Sequence, residues 1–137
     1  EKAMSSNNVN LEETFKNFNT CDFPKVSYDI YNKETTHPYF KQKNITPYKV
    51  EKSLAYYSVD DSIFGIHVSH LVLPVTWNFV SITFDLPIDE VRPKLSTVFG
   101  EGFEATSESD AGHKPFLVTS KDDPSKTIFY CDEPDYE

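Results

Sequence analysis

Glycine is scarce in this chain: Gly65, Gly100, Gly102 and Gly112 are the four among 137 residues. A phosphate-cradling loop needs glycines between a strand and a helix, so that the backbone can approach the anion. Gly100-Glu101-Gly102 has no strand pattern before it and no helix pattern after it, so no such loop is expected. The Gly-x-Ser-x-Gly elbow of serine hydrolases does not occur. Bases are few as well: 13 Lys and Arg stand against 22 Asp and Glu, a net charge of −9. A chain this acidic repels phosphate backbones and anionic lipids, which argues against nucleic acid or an anionic membrane as partner. No apolar run approaches the ~18 residues of a membrane span, so insertion into a membrane is not expected.

Metal-binding spacings are missing too. There is no His-Glu-x-x-His, no close cysteine pair and no calcium-loop pattern. The histidines are His37, His67, His70 and His113. His67 and His70 fall three apart on an apparent strand, where side chains alternate, so they are expected on opposite faces and not on one metal. Asp60-Asp61, Asp122-Asp123 and Asp132-Glu133 lie in apparent turns or ends, where Asp ordinarily bonds the local backbone. These observations predict no cofactor, no metal and no catalytic residues, hence a protein that is not an enzyme.

Apolar material is sufficient for a core. Hydrophobic residues make up 38% of the chain and aromatics 15%. At 15.7 kDa, residues 1–137 read as one domain, with the polar segment 1–8 frayed.

The two cysteines, Cys21 and Cys131, stand 110 residues apart. Cys21 follows an expected helix and Cys131 lies in the last expected strand, so a bridge would tie both ends of the domain together. Closing such a loop stabilises by about 4–5 kcal/mol on the loop-entropy model. A disulfide places the chain in an oxidising compartment, periplasmic or secreted; two reduced thiols would place it in the cytosol. Glu1-Lys2-Ala3-Met4 carries no apolar signal region.

Periodicity supplies the elements. Leu11, Phe15 and Phe18 share a helical face behind an Asn10 cap with Glu13 three residues on. Val26, Tyr28 and Ile30 alternate as a strand. Residues 33–48 lack periodicity and read as a long loop. Leu54–Val59 is a strand, Asp60-Asp61-Ser62 a turn, and Ile63–Leu73 the next strand, with Phe64, Ile66, Val68 and Val72 on one side. Val75–Phe84 follows after Pro74. A second helix is expected from Asp89, its start set by Pro93, with Val91, Leu95, Val98 and Phe99 on one face and Gly100 as its stop. A short strand at Phe103, an acidic loop, and a Phe116–Ser120/Lys126–Cys131 hairpin close the chain. The order α-β-β-β-β-α-β-β-β is an α+β fold with a mainly antiparallel sheet and two helices. An offset of 80 residues aligns Leu11 with Val91, Phe15 with Leu95 and Phe18 with Val98. That admits two similar α-β units, or simply two amphipathic helices.

Two features suggest recognition. Residues 101–137 hold ten acids against three bases, so this third carries −7 of the net −9. Such a field steers a basic partner. The Pro-constrained loop at residues 36–40 carries Tyr39 and Phe40, rings that either dock on a partner or plug the core. The expectation is a non-catalytic extracytoplasmic protein that engages a protein partner, possessing a basic surface, as an inhibitor or immunity-type antagonist would. Tyr39, Phe40, Glu108, Asp110, Asp122 and Asp123 are its candidate contacts. The alternatives are a small-ligand module with an aromatic pocket and an enzyme of unrecognised type.

Overall fold

The computed structural model describes residues 11–21, 26–75, 79–107 and 113–132. Segment 1–8, Trp77, Glu108 and Asp110 lie outside these residues. The elements run α1 (Leu11–Thr14), β1 (Tyr28–Asp29), β2 (Glu34–Thr35), α2 (Pro38–Gln42), β3 (Lys49–Glu51), β4 (Leu54–Ile63), β5 (Ile66–Pro74), β6 (Phe79–Phe84), α3 (Ile88–Phe99), β7 (Phe116–Thr119) and β8 (Thr127–Asp132). The fold is α+β. A six-stranded sheet in the order β3-β4-β5-β6-β8-β7 is antiparallel throughout. Strands β1 and β2 form a separate hairpin.

One face of the sheet carries the core. Tyr57, Leu71, Ile82, Phe129 and Leu117 stand in register across five strands, all buried. The helical segments pack on this row. Phe18 of a 3₁₀ turn after α1 meets Phe129 at 4.7 Å between ring centroids, Phe99 of α3 meets Phe129 at 6.2 Å, and Phe40 of α2 meets Tyr57 at 4.8 Å. Tilted and edge-on ring pairs of this kind add to the burial of apolar area. The disulfide joins Cys21 to Cys131 with Cα atoms 5.8 Å apart, fastening the N-terminal helical segment to β8.

Several expectations change. The first helix is one α-turn followed by a 3₁₀ turn (Phe18–Thr20), yet Leu11, Phe15 and Phe18 are all buried as their spacing requires. The Val26–Ile30 strand contracts to Tyr28–Asp29, because the Asp29 carboxylate accepts from the Tyr31 and Asn32 N–H groups at 3.0 and 3.2 Å and turns the chain. Ile30 and Tyr31 are thereby left 48% and 93% exposed. Residues 33–48 are not a featureless loop. His37 caps α2, its Nδ1 accepting from the Tyr39 N–H at 3.2 Å, and Pro38 occupies the first helical position. Among the described residues there are therefore three α-helices where periodicity showed two.

Asp60-Asp61-Ser62 is not a turn either: β4 runs through it to Ile63, and the reversal falls at Phe64-Gly65, both at positive φ. The β5 register against β6 shifts between Val68 and His70. That extra residue moves the later positions to the other face. Leu71 and Leu73 point into the core in place of Val72. His67 pairs opposite Ser62 and His70 opposite Ser58, and the bulge sets both histidines on the outer face.

In α3, Pro93 lies inside the helix, where it withholds an N–H, and so does not mark the start. Pro87, not Asp89, precedes the first turn, and Asp89 and Glu90 complement the helix dipole. Val91 and Leu95 are buried, Phe99 packs at the core margin, and Val98 is 48% exposed, off the shared face. Gly100 ends the helix at φ +92°. Phe103 is buried but belongs to no strand; its segment is held by Ala105 N–H donating to Pro115 O and by Arg92 donating twice to Glu104. The 80-residue alignment does not produce twin units, since α1 has 4 residues and α3 has 12, and the β1–β2 hairpin lies apart from the main sheet.

Candidate functional site

The second face of the sheet is where the chain displays its chemistry. Alternation places Lys49, Tyr56, Val72, Ser81, Tyr130 and Phe116 in one row across all six strands. Along it Lys49 is exposed, Tyr56, Val72, Phe116 and Tyr130 are half-buried, and Ser81 is buried. The rings support one another. Phe116 stacks on Tyr130 at 5.3 Å, Phe79 lies 5.5 Å from Tyr130, and Lys49 Nζ sits 4.5 Å over the Tyr56 ring. Tyr48, largely exposed, flanks both Tyr56 and His70.

At one end of this face a chain of polar groups crosses the strands. His67 Nε2 bonds Asp60 Oδ1 at 2.7 Å, and His67 Nδ1 bonds Asp85. Lys126 Nζ donates to Asp85 and, at 3.4 Å, to Ser69 Oγ, which in turn meets His70 Nδ1 at 2.9 Å. The charges alternate along it. Asp60 and then Asp85 raise the His67 pKa, favouring the imidazolium. Partial burial pushes the Asp85 carboxyl up, but Lys126, His67 and Ser69 outweigh it and hold the carboxylate below its ordinary range.

An imidazolium clamped between two carboxylates is a poor general base. Ser69 and His70 pair as a nucleophile and base would, yet no described carboxylate bonds His70 Nε2 to orient the ring. Among the described residues no group of three His, Cys, Asp or Glu is placed to hold a metal ion.

The sequence candidates fall into three groups. Tyr39 and Phe40 are 1% and 2% exposed and pack in the core. The reason is the α2 turn, which swings both rings inward: Phe40 onto Tyr57, and Tyr39 so that its hydroxyl donates to Asp61 Oδ2 at 2.6 Å. Asp122 is exposed in the β7–β8 turn, while Asp123 caps that turn, accepting from Ser125 N–H at 3.0 Å, and its pKa is lowered by Ser125. Glu108 and Asp110 lie outside the described residues. Cys21 and Cys131 are bonded.

The structure adds Asp60, His67, Asp85 and Lys126, which no motif announced. The β7–β8 turn sits at the same end of the sheet, so Asp60, Asp85, Asp122 and Asp123 gather from three separate stretches of chain. The only sequence signal was the density of acids in each stretch.

A shallow cleft of about 160 Å³ lies beside α2, lined by Lys33, Thr35, Phe40, Asn44, Ile45 and Thr46 among others. It is smaller than the ~300–1,000 Å³ typical of a small-molecule site and is lined by one ring. No helix of the described residues is long and apolar enough to cross a membrane. Comparison with protein-family models, with curated proteins and with solved structures returned no match.

Proposed function

We propose that this is a non-catalytic extracytoplasmic binding protein, periplasmic or secreted, that engages a protein partner through the open face of its sheet, as an inhibitor or immunity-type antagonist would. The observation that carries the reading is that open face: a row of rings and Val72 running into an acidic end built from Asp60, Asp85, Asp122 and Asp123. Half-buried aromatics beside charge supply anchors and steering together. The partner surface is basic and apolar, and nucleic acid is not among its partners. The disulfide supports the oxidising compartment.

The test is capture from the extracytoplasmic fraction of the source cells on the immobilised chain. Beside it run a four-charge reversal (Glu108, Asp110, Asp122 and Asp123 to Lys) and Tyr130→Ala. A protein retained by the parent, released by salt, and lost by both variants supports the reading. Equal retention by all three, or an association rate at low salt that ignores the reversal, overturns it.

A further inference from the structure

We infer that His37 is an acid-released latch: protonating its ring uncaps α2 and loosens that helix from the core while the six-stranded sheet stays folded. The geometry fixes the tautomer. Nδ1 accepts the Tyr39 N–H at 3.2 Å, so it carries no hydrogen of its own. The proton is then on Nε2, which donates to Thr14 Oγ1 at 2.7 Å. Both ring nitrogens are in use, and only the neutral ring fits both bonds. An imidazolium sets a second N–H against the Tyr39 N–H, donor facing donor, and the cap is lost.

No neighbouring charge offsets that protonation. The ring is half-buried, and burial is what lowers its pKa. The charged groups on the elements around it are engaged elsewhere. Beside Thr14, Glu12 accepts the Phe64 N–H and Glu13 pairs with Lys16. On β4, Asp61 accepts the Tyr39 hydroxyl and Asp60 bonds His67. On β2, Glu34 pairs with Lys41 of α2, and Lys43 at the end of α2 lies over the Tyr39 ring. None of these carboxylates bonds His37.

The helix depends on its two ends. With 5 residues, α2 is far too short to persist without docking. Its C-terminus closes in a Schellman arrangement. Asn44 N–H donates to Lys41 O at 3.2 Å and Ile45 N–H to Phe40 O at 2.8 Å, with Asn44 at φ +57° and Ile45 packed back on the core. Between the ends, Phe40 lies 4.8 Å from Tyr57 and 5.2 Å from Tyr39. The main sheet pairs β3 through β8 and borrows no ladder bond from α2. Release is therefore a local opening that uncovers Phe40 and Tyr57 over a sheet that remains paired.

The experiment uses the purified chain alone, so it does not depend on the partner proposed above. Amide hydrogen exchange is followed by NMR from pH 7 to pH 5, each rate divided by that of an unstructured peptide at the same pH. The Lys43, Asn44 and Ile45 amides should lose protection at least about tenfold, with the midpoint of the His37 ring titration, while β5 and β6 amides keep theirs. A dye that binds exposed apolar surface should brighten over the same range. His37→Asn retains an acceptor for the Tyr39 N–H and does not titrate, so its α2 amides should stay protected while His67, His70 and His113 still titrate. Should His37→Asn unfold the chain, the parent decides, by whether the exchange midpoint follows His37. Unchanged protection in α2, a midpoint that departs from His37, the same loss in a folded His37→Asn, or a loss shared by β5 and β6 overturns the inference.

Discussion

Asp60 and Asp61 are neighbours in the chain and stand on opposite faces of the sheet. Asp60 bonds His67 Nε2 at 2.7 Å on the open face, while Asp61 accepts the Tyr39 hydroxyl at 2.6 Å on the core side. Their removal should therefore read out differently. Asp61→Ala strands the Tyr39 hydroxyl, whose ionisation burial and Asp61 already oppose, and is expected to cost about 1–3 kcal/mol in urea unfolding. Asp60→Asn should leave stability within about 0.5 kcal/mol and instead move His67. In the parent, NMR titration should place the His67 pKa above 6.5, and Asp60→Asn should bring it down. Since the folded value is raised, this pair's contribution is complete below pH 6.5 and lost as pH rises through the folded pKa.

His37 titrates in the other sense. Its Nδ1 accepts the Tyr39 N–H, so Nε2 carries the proton and donates to Thr14 Oγ1 at 2.7 Å. Burial lowers its pKa below 6.5. The stability that comes from keeping it neutral is present above pH 6.5 and is lost as pH falls through the folded pKa. His37→Asn keeps a capping side chain but removes the titration. Its melting temperature should fall less than that of the parent between pH 7 and pH 5.

The Cys21–Cys131 bond closes a loop of 110 residues. Cys21→Ala/Cys131→Ala is expected to cost about 2–5 kcal/mol, read as a lower urea midpoint in equilibrium unfolding.

Two aromatics test the division between core and surface. Phe40→Ala empties a buried site between α2 and Tyr57 and should cost about 3–5 kcal/mol. Tyr31→Ala, at the tip of the β1–β2 hairpin, should change stability by less than about 0.5 kcal/mol. Equal losses for the two would contradict the packing of α2.

Pro93 sits in the sixth position of α3 and denies the helix one backbone bond. Pro93→Ala should raise the melting temperature, by up to the equivalent of ~3 kcal/mol.

The meander from β4 to β6 and the final hairpin were legible because period-two alternation survives wherever one face is buried; β3, exposed at all three positions, shows no such pattern. The Val72 and His70 positions were misread for the same reason: one extra residue inverts alternation, and nothing in His-Val-Ser-His-Leu-Val marks where it falls. Helix α2 was missed because five residues are too few to show a helical period, and its cap is a histidine, an uncommon capping residue. The polar chain on the open face was out of reach. Asp60, His67, Asp85 and Lys126 come from four places in the chain, and only strand order brings them together.

By itself the sequence determined the class of the molecule. Spacing of apolar residues dictates strands and helices, two cysteines permit one bridge, and a net charge of −9 disfavours polyanions. The tertiary structure alone decided which rings are hidden and which acids converge. Those outcomes depend on register and strand order, set by contacts between residues distant in the chain, which no local pattern encodes.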